Sequence, residues 1–134
     1  MVLRPQYMNT LRQYRDVPLV KILAGIRRCG KSTILEMLRD DLIAGGVASD
    51  HVIFLRYTSE DFDEGMTDRD MYKDICSRMT GEGRYYLLLD EAQEIEGWEK
   101  AVNSLLENAD TDIYVTGSNS KLMSSEISTY LTGR

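Results

Sequence analysis

Residues Gly25 to Thr33 read GIRRCGKST, and the reading of this stretch decides the fold. Gly25, Gly30, Lys31 and Ser32 match the spacing G-x-x-x-x-G-K-[ST], a loop that must leave a strand and open a helix. Both flanks agree with that demand. Upstream stands the apolar run Leu19-Val20-Lys21-Ile22-Leu23-Ala24, and downstream Ile34, Leu38 and Leu42 continue one helical face until Gly45-Gly46 supplies a stop. The two loop glycines let the backbone turn tightly, so that successive N–H groups point inward at anionic oxygens. The dipole and the unpaired first-turn N–H groups of the helix favour the same anion. Ile26, Arg27, Arg28 and Cys29, with Thr33 beyond them, complete the stretch expected to line the phosphates. Lys31 supplies a point charge for β- and γ-phosphates, and the Ser32 hydroxyl is placed to ligate Mg²⁺. The stretch therefore predicts a nucleoside triphosphate site.

A second stretch answers the first. Tyr85-Tyr86-Leu87-Leu88-Leu89-Asp90-Glu91 is an apolar and aromatic run that ends in two carboxylates, preceded by the turn residues Gly81-Glu82-Gly83. Such a run reads as a strand buried on both faces of a parallel sheet. Carboxylates are excluded from the interior of that strand but tolerated at its carboxyl end, where open α/β sheets bind their ligands. Asp90 is predicted to hold Mg²⁺ through water, and Glu91, one residue on and so pointing differently, to act as general base toward an attacking water.

The chain has 134 residues, enough for one domain with a core of its own but small for a whole nucleotide-hydrolysing module. Sixteen basic residues against twenty-two acidic ones give a net charge of −6, so a broad nucleic-acid or anionic-membrane footprint is not favoured. Two cysteines, Cys29 and Cys76, form neither a disulfide framework nor a metal-ligand spacing, which suggests a reducing, cytoplasmic setting. The amino terminus has no apolar signal region, and no stretch approaches the length of a membrane span.

Taken in order, Tyr7, Leu11 and Tyr14 predict a short amphipathic helix that Asp16 and Pro18 end. His51 to Tyr57 reads as a second buried strand, with His51 an exposed strand-entry residue rather than a catalyst, since it stands at the amino-terminal end. The acidic segment Ser59 to Asp74 fails as a calcium loop, because Gly65 is fifth and Tyr72 twelfth counted from Asp61. A solvated loop is the expectation there, with partner docking as the alternative. Tyr72, Ile75, Cys76 and Met79 form a helical stripe that makes Cys76 a core residue, whereas Cys29, beside Lys31 at a helix start, reads as passive with an oxidation switch as the alternative. Trp98, Val102, Leu105 and Ala109 share helical spacing, with Trp98 anchoring that helix to the sheet or, alternatively, contacting a partner. Thr111 to Thr116 is a fourth strand ending in Gly117-Ser118-Asn119-Ser120. Ser118 and Asn119 are expected at the same edge as Asp90 and Glu91, within reach of a water or γ-phosphate, while Ser120 caps a helix bearing Met123, Ile127 and Tyr130.

GIRRCGKST, LLLDEAQEI, the Trp98 helix, VTGSNSKLMSSEI and the terminal LTGR together resemble the AAA-type P-loop ATPases of the AAA_14 family, archaeal and bacterial proteins often joined to a DUF4143 domain. The likeness covers roughly residues 4–134. It implies an α/β three-layer P-loop NTPase sandwich, a parallel sheet in the order 5-1-4-3-2, ATP and Mg²⁺ as ligands, and ATP hydrolysis. By the same resemblance Lys31, Ser32, Asp90 and Glu91 keep the roles argued above, Asn119 or Ser118 matches the sensor-1 residue, and Arg134 is a γ-phosphate-sensing arginine acting in cis or from a neighbouring subunit. The family continues past its Gly-Arg ending into a fifth strand and further domains, whereas this sequence stops at Arg134. The expectation is a single domain truncated at its carboxyl end, without its fifth strand. The strand at Leu19–Ala24 would then lie at an open edge, inviting self-association. A protein client is expected but not named by the sequence. Two other classes compete: a nucleotide-gated switch with little hydrolysis, and a phosphate-loop kinase, which lacks its arginine-rich lid here.

Overall fold

Side-chain alternation explains why the central strands of this chain carry apolar residues toward both faces. The computed structural model describes residues 11–24, 30–58, 62, 65–117 and 129–132, with backbone alone at 24, 30–33 and 129–132. Its strands are β1 (Lys21–Ala24), β2 (Val52–Arg56), β3 (Tyr85–Asp90), β4 (Thr111–Thr116) and β5 (Thr129–Thr132). They form one sheet in the order β2-β3-β4-β1-β5, parallel at every pairing. Every residue of β3 and of β4 is buried. Ile22, Ile53, Leu55, Leu87, Leu89, Ile113 and Val115 enter one core cluster, and Leu23, Tyr86, Leu88 and Tyr114 enter another. Successive side chains leave a strand on opposite faces, so a strand covered on both sides must be apolar throughout.

Helices supply the two covers. Helical residues 11–14 (α1) and helix α2 (Gly30–Ala44) bring Leu11, Ile34, Leu35, Leu38 and Leu42 to the second cluster. On the other face α3 (Asp68–Arg78) and α4 (Trp98–Asn108) deliver Met71, Ile75, Trp98, Ala101, Val102 and Leu105. Each fully buried Leu contributes roughly 1.5–3 kcal/mol relative to exposure, so both layers are held chiefly by these contacts. Trp98 is an anchor of α4, 4% exposed within the first cluster. Gly46 ends α2 with φ at 111°, a left-handed conformation that costs glycine little, and its N–H reaches the Ile43 carbonyl.

The architecture expected from the resemblance is the one observed, with three corrections. A fifth strand is present: β5 lies beside β1 in register Lys21 with Thr129 through Ala24 with Thr132. Consequently β1 lies between β4 and β5, and the sheet ends on β2 and β5. Strand addition at β1 is therefore not available, because both of its ladders are occupied. Tyr130 belongs to β5 rather than to a helical stripe with Met123 and Ile127, which lie outside the described residues. The acidic segment is not all loop either. From Asp68 it is helix α3, whose start is fixed by a capping box: Thr67 Oγ1 accepts the Asp70 N–H, and the Asp70 carboxylate accepts the Thr67 N–H, both at 3.1 Å. Asp68 and Asp70 sit in the first turn, where negative charge opposes the helix dipole favourably.

His51 is a tie between turns rather than a catalyst. Its ring stacks on Tyr85 with centroids 4.1 Å apart. Nδ1 lies 3.0 Å from an Asp50 carboxylate oxygen and Nε2 2.7 Å from the Glu82 carbonyl. Both partners can only accept, an arrangement that favours the doubly protonated ring. The Asp50 bond, then the Glu82 carbonyl, raise the pKa of His51 above its ordinary value. A histidine raised on folding stabilises fully below its unfolded pKa of about 6.5 and loses that contribution as pH climbs through the folded value. The melting-temperature advantage of the native chain over His51→Gln is therefore expected to be largest at mildly acidic pH and to shrink above neutrality. An advantage that grew with pH would contradict a raised His51 pKa.

Candidate active site at the carboxyl edge of the sheet

Because all strands run the same way, their carboxyl ends share one edge. There β1 ends at Ala24, and the chain re-enters the described structure at Gly30 as the first residue of α2. Lys31, Ser32 and Thr33 thus stand in the first turn of that helix, where backbone N–H groups have no intrahelical acceptor. Gly25, Ile26, Arg27, Arg28 and Cys29 lie outside the described residues, as do Ser118, Asn119, Ser120 and Arg134.

Asp90 closes β3 and is 3% exposed. Leu89 pairs in register with Val115, so the next residues along, Asp90 and Thr116, end side by side. The Thr116 hydroxyl donates to Asp90 Oδ1 at 2.5 Å and accepts the Glu91 backbone N–H at 3.1 Å. One buried side chain thereby fixes the carboxylate of Asp90 and the backbone of Glu91 together. Glu91 has φ 55° and ψ 46°, a left-handed conformation that costs a non-glycine residue roughly 1–2 kcal/mol. That backbone breaks the strand alternation at this residue and starts the short 3₁₀ turn Ala92–Glu94, in which the Glu94 N–H donates to the Glu91 carbonyl at 3.1 Å. Strain of this kind persists where neighbouring contacts over-determine the backbone, and it concentrates at functional sites.

Two further side chains complete the edge. Gln93 Nε2 donates to Glu91 Oε1 at 2.6 Å. Arg56 closes β2, pairs in register with Asp90, and has Nε 4.0 Å from Asp90 Oδ2 while its Nη2 binds Glu36 of α2. Arg56 and Glu36 are both nearly half exposed, so their pair contributes on the order of 0–1 kcal/mol to stability. Its consequence is positional: it ties the helix that follows the loop to the end of β2, beside Asp90.

The structure thus brings Asp90 and Glu91 to the edge from which the Gly-rich stretch departs. Thr116, Gln93 and Arg56 are site residues that the sequence reading missed. A polar residue ending an apolar strand, as Thr116 and Arg56 both do, was the available signal. For Gln93 no sequence signal singled it out.

A parallel sheet of this order, covered on both faces and carrying a Gly-Lys-Ser helix start and an Asp-Glu strand end on one edge, defines the class of nucleotide-binding α/β ATPase domains. Residues 18–134 match the AAA domain of the AAA_14 family, and the chain belongs to that family. It is 38% identical over its whole length to an uncharacterized protein of Haemophilus influenzae, of which it covers 34%. Over 86% of its length it is 29% identical to an uncharacterized protein of Methanocaldococcus jannaschii, covering 24% of that protein. The chain therefore spans about a third or less of the relatives it matches. Among the described residues no helix is long and apolar enough to cross a membrane.

Proposed function

We propose that this domain binds ATP with Mg²⁺ at the carboxyl edge of its sheet and hydrolyses the β–γ phosphoanhydride, coupling that reaction to an unidentified partner protein. The observation that carries the reading is the hydrogen-bonded unit Asp90–Thr116–Glu91, which stands at the edge where β1 gives way to the Gly-Lys-Ser helix start. A single buried carboxylate with one oxygen on a hydroxyl suits Mg²⁺, which keeps several waters and shares phosphate oxygens rather than taking an all-protein cage. Asp90 and Ser32 are the residues that would hold it, and when bound it neutralises charge on the β- and γ-phosphates. The first-turn N–H groups of α2 and the Lys31 ammonium would bind those phosphates. Glu91 would take the proton of a water attacking the γ-phosphorus while the bond to the β-phosphate oxygen breaks, leaving ADP and inorganic phosphate. Ser118, Asn119 and Arg134 would act on the γ-phosphate from the segment after β4 and from the end of the chain. ATP and Mg²⁺ are both abundant in the cytoplasm, the compartment that fits this chemistry.

The test is phosphate release in Mg²⁺ and in EDTA, together with nucleotide binding by Lys31→Ala. Release should require the metal. Removing a charge-assisted contact worth about 1.5–3 kcal/mol should weaken ATP binding by roughly 10- to 100-fold. Undiminished ATP binding by the Lys31 variant would overturn the site assignment.

A further inference from the structure

We infer that Gln93 is a positioning residue that helps to orient the Glu91 carboxylate through a hydrogen bond to one of its oxygens; this rests on the reading of Glu91 as general base. The left-handed backbone of Glu91 turns its side chain out of the strand pattern, but a Glu retains rotatable bonds beyond Cα that the backbone does not control. Left to itself, the carboxylate would sample several rotamers. Gln93 restricts that freedom: it lies two residues on, in the middle of the 3₁₀ turn Ala92–Glu94, and its Nε2–H donates to Glu91 Oε1 at 2.6 Å. A charge-assisted hydrogen bond of this length is among the stronger kinds and has directional preference. Its turn is itself held, because Gln93 is half-buried and its near neighbours in the chain, Ala92 and Ile95, are both buried in the core cluster. Its Oε1 is also buried and has no hydrogen-bond partner among the described residues. A buried amide oxygen left in that state costs about 1–3 kcal/mol, so packing and fold stability alone do not account for a glutamine here. An apolar side chain of equal length would fill the same space without that cost. The amide is retained, on this argument, for the Glu91 contact.

Gln93→Met keeps length and volume while removing the donor, and Gln93→Asn keeps the amide but shortens its reach. Both are compared with Glu91→Gln and with the double variant Glu91→Gln/Gln93→Met, in single-turnover phosphate release, ATP affinity and thermal melts. Gln93→Met is expected to lower the hydrolysis rate on the order of 10-fold with ATP affinity unchanged, since misplacing a catalytic group costs rate rather than binding. Gln93→Asn should lower it similarly. In the Glu91→Gln background the Met substitution should lower the rate no further, because its effect passes through the residue already disabled. A readout free of turnover accompanies this: the side-chain amide signal of Gln93 in the nucleotide-free protein should move when Glu91 becomes Ala. Wild-type rates in both Gln93 variants, an equal further loss in the Glu91→Gln background, or an unmoved amide signal each overturns the inference. Full hydrolysis by Glu91→Gln alone overturns instead the general-base reading beneath it.

Discussion

Replacing Glu91 by Gln is expected to leave ATP bound and to cut phosphate release by roughly 10²–10⁴, the usual contribution of a positioned general base. That corresponds to about 3–5 kcal/mol added to the barrier. The substitution is nearly isosteric, and the backbone hydrogen bonds of Glu91 do not depend on its charge. Its backbone N–H is accepted by Thr116, and its carbonyl accepts the Glu94 N–H. An amide oxygen at the same place can still accept the Gln93 donor, so the left-handed turn and the Asp90–Thr116 bond should survive. What an amide cannot do is take a proton from water. Binding and turnover should therefore separate, which distinguishes this variant from one at Asp90, where loss of the Thr116 bond and of the metal-holding carboxylate would fall together. Equal rates in the variant and the wild type would remove Glu91 from the mechanism. A wild-type chain that binds ATP but releases no phosphate would instead favour the nucleotide-gated switch.

How much of this was legible in the sequence follows from the range of the interactions concerned. The loop at Gly25–Thr33 and the Asp90-Glu91 strand end were legible because their logic is local: glycine where the backbone must turn, and charge expelled from a doubly buried run. The sheet order was legible only through family resemblance, since nothing in the apolar run of β1 says which strands will flank it. β5 was missed because Thr-Tyr-Leu-Thr is short and begins and ends in polar residues. Its place comes from the parallel ladder to β1, a long-range pairing with no local signature. The start of α3 was hidden by its acidity, which reads as solvated loop until Thr67 and Asp70 are recognised as a reciprocal cap. Thr116 and Asp90 are 26 positions apart in the chain, and only the β3–β4 register makes them neighbours. The αL backbone of Glu91, which brings Gln93 into play, is likewise not written in the residues around it.

At the opposite, amino-terminal end of the sheet, Asp112→Ala is expected to cost about 3–5 kcal/mol, the usual penalty for stranding one member of a buried ion pair. For a domain of this size that is a fall of roughly 10–20 °C in melting temperature. Lys21 is 0% exposed and Asp112 1%, although both stand in otherwise apolar strands. The Lys21 ammonium donates to Asp112 Oδ1 and to the Val17 carbonyl, and lies 5.1 Å from the centre of the Tyr114 ring. Asp112 Oδ2 accepts the Asp16 N–H and the Tyr114 hydroxyl, each at 2.9 Å. Asp16 has φ 67°, and its own carboxylate accepts from Tyr86 at 2.7 Å and from Arg84 at 2.9 Å. Burial lowers the pKa of Lys21, and Asp112 opposes that shift, so the carboxylate is what makes a charged lysine tolerable there. Truncating Asp112 removes the counter-charge and two acceptor positions at once. It leaves the buried ammonium and Tyr114 hydroxyl, and the Asp16 N–H, each short of one partner. Asp112→Asn retains the shape and one oxygen, so its loss should be smaller, and the order Ala worse than Asn worse than wild type separates pairing from packing. Since this network lies at the far end of the strands from Asp90 and Glu91, either variant that stays folded at low temperature should keep its ATP affinity. A melt of Asp112→Ala coinciding with wild type would mean that the pair contributes nothing to holding the segment before β1 against the sheet.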